Sequence, residues 1–337
     1  MNDNMDLFLD TVFFIVGLAL IVKGADWLTD GAASVAHRLG IPTLVVGLTI
    51  VAIGTSAPEF VVSMMGALKG SPDIAIGNVV GSNIFNIFGI IGCTALISPI
   101  VMTRSNVVRD LPIMVLTQVV LFIMLLDVVL SNEQTNSLSR ADGLILLCLF
   151  VMFLYYTVRL ARGKSTEGTE KTEGTEIEKE LSGWQILLMI VGGLGALIMG
   201  GDWMVSGASG IAKAMGVSEA IIALTIVSIG TSAPELATSI MAARKGDNDM
   251  AVGNIVGSVV FNTLLILGAS ATVYPLPMVG ITMVDMYTLL AAAFLFWGFG
   301  FFGGKRYVIT RGEGLLMVLL QVAYYVYLIV ESLEFRV

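Results

Sequence analysis

The sequence predicts an all-α integral membrane protein whose ten transmembrane helices form two inverted five-helix repeats. Of its 337 residues, 56% are hydrophobic and 13% are charged, and the mean hydropathy is +0.90. This composition leaves too little polar surface to cover a soluble protein of this size. Apolar stretches recur along almost the whole chain, and most can cross a bilayer core, which takes about 20 helical residues. The third observation is an internal duplication of the sequence.

Ten apolar stretches, each bounded by charged or turn-forming residues, define the predicted helices. They cover 7–36, 42–68, 72–99, 107–129, 138–160, 183–213, 218–243, 249–274, 280–302 and 312–332. The first stretch lacks a basic leader and a small-residue cleavage site, so we expect a retained helix and not a signal peptide. The chain therefore divides into a first repeat over 1–160, a linker over 161–182 and a second repeat over 183–337.

The linker and the basic residues predict the orientation in the membrane. The linker is a low-complexity run of Thr, Glu, Gly and Lys that cannot bury a core. With the N-terminus outside, thirteen flanking Lys and Arg residues fall on the cytoplasmic side and four on the outer side. Cytoplasmic loops carry the excess of Lys and Arg. We therefore expect a multi-pass protein of the cell (cytoplasmic) membrane, with both termini outside and the 161–182 linker inside.

The internal duplication predicts the relation between the two halves. A shift of 176 residues aligns 26–86 with 202–262 without a gap, and roughly half of these 61 positions are identical. Such identity at a fixed period indicates a true repeat. Because five predicted helices separate corresponding points, the second copy must cross the membrane in the opposite sense. Inverted repeats with a site near the bilayer midplane are typical of secondary transporters.

The two copies are most alike in blocks that end with the motif Gly-Thr-Ser-Ala-Pro-Glu. These blocks are LTIVAIGTSAPE, ending at Glu59, and LTIVSIGTSAPE, ending at Glu235. Both place a glutamate in the middle of a predicted span. An ionisable group there costs at least a few kcal/mol, so it normally faces a partner or an aqueous pathway. The duplicated glutamates are therefore candidate functional residues.

The residues before each glutamate are expected to supply further oxygen ligands. Each proline of the motif removes a backbone donor, so the carbonyls over 52–55 and 228–231 are expected to lose helical partners and to point at a ligand. Thr55 and Ser56 stand four and three residues before Glu59, a spacing that allows the three side chains to share one side of the helix. The second copy repeats this spacing with Thr231 and Ser232.

Two polar pairs downstream complete an all-oxygen set of side chains. Each repeat carries a serine and an asparagine four residues apart, Ser82 with Asn86 and Ser258 with Asn262. Calcium takes six to eight oxygen ligands and needs carboxylates to balance its charge. A soft transition metal would prefer His or Cys, and none lies near these motifs. The residues alone therefore predict a site for a hard cation.

The paired blocks resemble the alpha-repeats of the calcium/cation antiporter superfamily, particularly its prokaryotic sodium/calcium exchangers. The resemblance covers most of the chain and places the alpha-repeats at about 42–99 and about 218–274. It implies a ten-helix fold with four cation sites between the second, third, seventh and eighth helices. The implied central calcium ligands are the Glu59 and Glu235 carboxylates with the main-chain carbonyls of Thr55 and Thr231.

The resemblance also implies two sodium sites and a pair of flanking residues. The outer sodium site would use the carbonyl of Ser228 with Thr231, Ser232 and Ser258. The inner sodium site would use Ala52 with Thr55, Ser56 and Ser82. Asn86 and Asn262 would flank the central site. Some relatives, notably the potassium-dependent branch, carry Asp at the second of these positions, so Asn262 disfavours potassium cotransport.

The resemblance implies antiport of sodium against calcium, three sodium ions per calcium ion. Proton-coupled exchange of calcium or another divalent cation stays open, because two buried glutamates can carry protons, although the neighbouring hydroxyl oxygens favour sodium. A channel does not require an inverted duplication. No nucleophile–base pair or phosphate-binding loop is present, so an enzyme and an ATP-driven pump are not expected. The expected partners are the two ions and the lipid bilayer, without a cofactor, nucleic acid or obligatory protein partner.

A second duplicated motif lies in the first predicted helix of each repeat. Asp26-Trp27 aligns with Asp202-Trp203. We expect these residues to organise helix packing or an interface and not to bind the transported ion, and Lys23 is a candidate partner for Asp26.

Overall fold

A computed structural model describes residues 3–130, 134–163, 181–215, 228–278 and 280–334, and these residues are mostly helical. The first half contains α1 (Asp3–Leu39), α2 (Thr43–Val46), α3 (Ala52–Thr55), α4 (Ala57–Leu68), α5 (Pro72–Ile84), α6 (Ile91–Ile97), α7 (Leu111–Met124), α8 (Asp127–Leu130) and α9 (Arg140–Gly163). The second half contains α10 (Gly183–Ala214), α11 (Ser228–Thr231), α12 (Ala233–Arg244), α13 (Asn248–Phe261), α14 (Gly268–Val273), α15 (Met283–Phe302) and α16 (Arg311–Glu334).

Within the described residues, four π-helical turns connect or precede these helices. Gly47–Val51 joins α2 to α3, Phe85–Ile90 joins α5 to α6, Asn106–Asp110 leads into α7, and Asn262–Leu267 joins α13 to α14. Such turns are rare, appear mostly as single turns inside α-helices, and are frequent at functional sites. Two of them contain the predicted flanking residues Asn86 and Asn262.

Eight helices within the described ranges are long and apolar enough to cross a membrane. A ninth span results if the pair Thr43–Thr55 and Ala57–Leu68, which is bent by 50°, counts as one. The predicted helix over 218–243 lies partly outside the described residues, and α11 and α12 are its described portion. The linker residues 164–180 also lie outside.

The remaining predicted spans agree with observed helices to within a few residues, with two differences. The helix predicted over 42–68 is interrupted at Ser56, where α3 ends and α4 begins. The helix predicted over 107–129 ends at Met124, and the short helix α8 follows it. The apolar run continues past Met124, so hydropathy alone does not mark this end.

Burial separates inner helices from outer ones. The α5–α6 and α13–α14 helices are largely buried inside the protein, whereas α1 and α10 expose most of their apolar surface, as helices facing lipid do. α1 and α10 pack tightly against each other. A Cβ atom added at Gly193 would lie 2.8 Å from the Leu28 amide nitrogen and 2.9 Å from the Gly24 carbonyl oxygen. Small residues thus let the two backbones touch, as in many membrane helix pairs.

The two halves also meet through short strands and at the centre of the bundle. β1 (Ile100–Val101) pairs antiparallel with β4 (Val308–Ile309), and β2 (Ser137–Leu138) pairs antiparallel with β3 (Leu276–Pro277). In the interior, the turn at Gly47 lies against α13, where a Cβ at Gly253 would come within 2.6 Å of the Leu44 carbonyl oxygen. This close approach brings the broken helix of the first half beside the α13 helix of the second.

Candidate cation-binding site

Each predicted central glutamate lies directly after a helix break. Ser56 has φ −83° and ψ 9°, and α4 begins after it with Pro58 and Glu59 in its first turn. Ser232, with φ −93° and ψ 9°, separates α11 from α12, whose first turn contains Glu235. The first turn of a helix favours negative charge because unpaired amides and the helix dipole point there. The breaks therefore stabilise two carboxylates inside an apolar bundle.

The break does not free every carbonyl that the motif suggested. The Ala52 carbonyl oxygen accepts a hydrogen bond from the Ser56 amide at 3.0 Å. The expectation that it loses its helical partner is therefore wrong, because the helical turn closes before the proline is reached. A carbonyl oxygen has a second lone pair, so Ala52 can still bind a cation without breaking this bond.

Hydroxyl groups cross from each half to the glutamate of the other half. Ser56 Oγ donates to Glu235 Oε1 at 2.9 Å, and Ser232 Oγ donates to Glu59 Oε1 at 3.1 Å. Ser232 Oγ also lies 3.4 Å from Ser82 Oγ. The spacing in the sequence suggested that each serine shares a side with its own glutamate. The structure instead shows reciprocal pairing, which brings both carboxylates to the interface between the halves.

Several buried oxygens at this interface have no hydrogen-bond donor. They are Oε2 of Glu59 and of Glu235, and Oδ1 of Asn86 and of Asn262. All four residues are at most 1% exposed. Leaving a buried polar atom unpartnered costs about 1–3 kcal/mol, so such a concentration requires an explanation. A cation that accepts these lone pairs would satisfy them together.

The charge of the site suits a divalent ion. The Glu59 and Glu235 carboxylates lie near enough to repel each other. In the described part of the chain, His, Cys, Asp and Glu side chains nowhere cluster in the groups of three or more that a metal site made of these residues would need. A cation bound here would thus meet two carboxylates and otherwise neutral oxygens, a set that calcium accepts.

Two asparagines that the sequence-based prediction did not assign brace the broken helices. Asn78 Nδ2 donates to the Glu59 carbonyl oxygen at 3.2 Å and to Ser63 Oγ at 2.9 Å. Asn254 Nδ2 makes the same two contacts in the second half, with the Glu235 carbonyl oxygen at 3.3 Å and Ser239 Oγ at 2.9 Å. These residues recur at the 176-residue shift, so the duplication contained the signal.

The other predicted site residues lie around this centre. Thr55 is buried, and its Oγ1 lies 3.3 Å from Asn254 Oδ1. Ser82, predicted for the inner sodium site, lies beside Ser232, predicted for the outer one. Thr231 is partly buried at the end of α11. Ser228 begins α11, and its side chain lies outside the described residues.

In the first half, Asp26 of the second duplicated motif forms ion pairs with two lysines. Lys23 Nζ lies 2.9 Å from Asp26 Oδ2, as the sequence predicted. Lys245 Nζ, which the prediction missed, lies 2.7 Å from Asp26 Oδ1 and 2.7 Å from Asp30 Oδ1. Asp26 therefore joins α1 to the end of α12.

Comparisons with known proteins agree with this geometry. The chain is 39% identical over 272 residues to the inner membrane protein YrbG of Escherichia coli strain K12, covering 80% of this chain and 81% of that protein. It is 29% identical over 343 residues to the sodium/calcium exchanger MaX1 of Methanosarcina acetivorans, covering 94% of this chain and 97% of that protein.

A solved structure of the sodium-calcium exchanger NCX_Mj superposes on this protein with a TM-score of 0.78 at 28% identity, covering 97% of this chain and 99% of that one. The family model described as sodium/calcium exchanger protein matches residues 9–159 and 185–330, which together take in both glutamate motifs and their flanking asparagines. The resemblance read from the motifs is confirmed, and this chain belongs to the sodium/calcium exchanger protein family.

Proposed function

We propose that this protein is a secondary antiporter that exchanges sodium for calcium by alternating access. The observation that supports this most strongly is the pairing of Glu59 with Ser232 and of Glu235 with Ser56 across the two halves. Two buried carboxylates, each with an oxygen that has no hydrogen-bond partner, lie between the two halves. Relatives named as sodium/calcium exchangers share the fold and most of the chain.

Calcium would bind between the two glutamates. Both carboxylates would be ionised when calcium is bound, so their charge of −2 cancels that of the ion. The main-chain carbonyls of Thr55 and Thr231 and the side-chain oxygens of Asn86 and Asn262 would complete the shell. Six to eight oxygens at 2.3–2.6 Å is the usual requirement of calcium in proteins.

Sodium would bind on either side of the same glutamates. The proposed inner ligands are Ala52, Thr55, Ser56 and Ser82, and the proposed outer ligands are Ser228, Thr231, Ser232 and Ser258. Because the hydroxyls of Ser56 and Ser232 already contact the glutamates, sodium bound at them would compete with calcium for the same charge. Three sodium ions against a charge of −2 leave a net charge of +1, so exchange would be electrogenic.

The fold assumed for this cycle is the ten-helix inverted repeat divided as 1–160, 161–182 and 183–337. In the cell membrane, both termini would lie outside and the linker in the cytoplasm. Inverted repeats allow one half to rock against the other while the midplane site stays fixed. The two breaks at Ser56 and Ser232 would then face the two sides of the membrane in turn.

Proton-coupled calcium exchange is the second candidate. It is favoured by the repulsion between Glu59 and Glu235, since a proton on either carboxylate would relieve it. The serine hydroxyl oxygens that contact both glutamates favour sodium instead, because a carboxylate that carries only a proton needs no surrounding shell of oxygen ligands.

Radiotracer flux separates these candidates. Purified protein in proteoliposomes would be assayed for uptake of radioactive calcium with an outward sodium, proton or potassium gradient imposed separately. We expect uptake with the sodium gradient alone. Uptake with the proton gradient alone would support the second candidate, and calcium uptake that needs no counter-gradient would contradict antiport altogether.

A further inference from the structure

A buried amide chain ties Asn262 to helix α7. Asn262 Nδ2 donates to Asn83 Oδ1 at 3.1 Å, and Asn83 Nδ2 donates to Thr263 Oγ1 at 2.9 Å. From α7, Gln118 Nε2 donates to the same Thr263 Oγ1 at 3.0 Å. All four residues are fully buried. This series of hydrogen bonds thus begins at Asn262, a predicted flanking residue of the site, and extends from the site to α7.

The direction of each hydrogen bond in this chain follows from one main-chain carbonyl. Thr263 Oγ1 lies 2.9 Å from the Val259 carbonyl oxygen, which can only accept. The single hydroxyl proton therefore points there, in preference to Gln118 Oε1 at the longer distance of 3.3 Å. Thr263 Oγ1 can then only accept from Asn83, so Asn83 must turn its Nδ2 to Thr263 and its Oδ1 to Asn262.

This order determines which end of the Asn262 amide is free. Asn262 must present Nδ2 to Asn83 Oδ1, and its own Oδ1 is left buried without a donor. An amide that turned the other way would place two oxygens against each other. The carbonyl oxygen of Asn262 is therefore the atom available to a cation, and the amide nitrogen is held away.

The equivalent residue of the first half has no such support. A shift of 176 residues places Val259 at the position of Asn83 and Ile87 at the position of Thr263. Asn86 accordingly has neither Nδ2 nor Oδ1 in a hydrogen bond. The two flanking asparagines are identical in the sequence, but only Asn262 is fixed.

We propose that Asn83, Thr263 and Gln118 are positioning residues that hold the Asn262 carbonyl oxygen toward the transported cation, so that the second half supplies a fixed neutral ligand while Asn86 can rotate. This inference rests on the proposed function. A neutral amide oxygen is a good calcium ligand, whereas an amide nitrogen pointed at the ion repels it. Fixing the amide in advance removes the cost of orienting it on binding.

The test uses a matched pair at Thr263. Thr263→Val keeps the shape and removes the hydroxyl, whereas Thr263→Ser keeps the hydroxyl. We expect Thr263→Val to raise the KM for calcium about tenfold, equivalent to about 1.4 kcal/mol, with kcat within about twofold of wild type. Thr263→Ser should stay near wild type. Thr94→Val, at another buried threonine whose hydroxyl has no partner, is the control for the substitution itself and should also stay near wild type.

Coupling to Asn262 distinguishes positioning from a general packing effect. In an Asn262→Ala background, Thr263→Val should change the KM no further, because the amide that it orients is gone. An unchanged KM in Thr263→Val, or an equal additional effect in the Asn262→Ala background, would overturn the proposal. Should Thr263→Val fail to fold, Gln118→Met removes the second donor to Thr263 and should raise the KM about threefold.

Equilibrium binding separates this proposal from the proposed function. Radioactive calcium binding by the detergent-solubilised full chain would be measured without sodium for the same variants. A wild-type protein that binds calcium but shows no sodium-driven flux would contradict sodium antiport, while weaker binding by Thr263→Val would still support the positioning role. Equal calcium binding by wild type and Thr263→Val would reject the positioning role whatever the flux.

Discussion

Replacing either central glutamate with glutamine should abolish calcium binding while leaving the fold intact. Glutamine has the shape of glutamate, and its carbonyl oxygen can still accept the bond that Ser232 Oγ donates to Glu59, or Ser56 Oγ to Glu235. What disappears is one of two negative charges. Because the change keeps the shape of the side chain and removes a buried ionisable group, which is costly to charge in an apolar interior, the cation-free protein should lose no stability through it.

The size of the effect follows from the charges. Two unit charges about 4 Å apart attract by about 4 kcal/mol at an effective dielectric constant of about 20, and the double charge of calcium makes this about 8 kcal/mol. The amide oxygen of glutamine remains a ligand and recovers part of the loss. A loss of at least about 4 kcal/mol remains, which weakens calcium binding about a thousandfold or more.

The assay combines calcium binding with thermal unfolding in detergent. Wild-type protein should gain melting temperature with calcium, since a ligand that binds only the folded state stabilises it. Glu59→Gln and Glu235→Gln should melt near the wild-type temperature without calcium and gain nothing with it. Glu59→Asp, which keeps the charge on a shorter side chain, should retain part of the response. Near-normal calcium binding by either glutamine variant would refute the site assignment.

Three further predictions concern the supports of the site and the topology. Asn254→Leu removes the donor to the Glu235 carbonyl and to Ser239 Oγ, and should lower the free energy of unfolding by about 1–3 kcal/mol; an unchanged denaturation curve would argue against the brace. Gly193→Val places a Cβ against the α1 backbone and should lower the free energy of unfolding by about 1–3 kcal/mol. Gly195→Val, which has open space around it, should lower it much less. Equal melting temperatures of the two variants would contradict the close packing of α1 and α10. Cysteines introduced into the 161–182 linker should react only with reagents that reach the cytoplasm, and labelling from outside intact cells would overturn the orientation.

The duplication made much of the site predictable. Glu59, Glu235 and the prolines before them recur at one fixed shift, and carboxylates at midspan have few structural explanations. Asn78 and Asn254 recur in the same way, so their bracing role could have been found by asking which other polar residues are duplicated. The helix bounds followed from hydropathy, except at Ser56, where the predicted helix is interrupted, and past Met124, where apolar residues continue beyond the helix end.

Contacts between the halves could not be predicted from spacing within one segment. Ser56 contacts Glu235 and Ser232 contacts Glu59, and the partners lie 179 and 173 residues apart in the sequence. These contacts depend on how the two halves approach each other. The hydrogen bonds behind Asn262 break the repeat symmetry. Val259 occupies the position equivalent to Asn83, and Ile87 occupies the position equivalent to Thr263. A comparison of the two copies would therefore pass over these hydrogen bonds. Lys245 was missed for the same reason, because its partners Asp26 and Asp30 lie in the other half.

The measurement that tests sodium–calcium antiport most directly is calcium uptake into sodium-loaded proteoliposomes with the membrane potential clamped by an ionophore. Each cycle of three sodium ions outward and one calcium ion inward moves one positive charge out, worth about 2.3 kcal/mol per 100 mV. An inside-positive potential should therefore accelerate uptake, and an inside-negative one should slow it. Uptake that ignores the potential but follows an imposed pH gradient would contradict three-sodium exchange at Glu59 and Glu235.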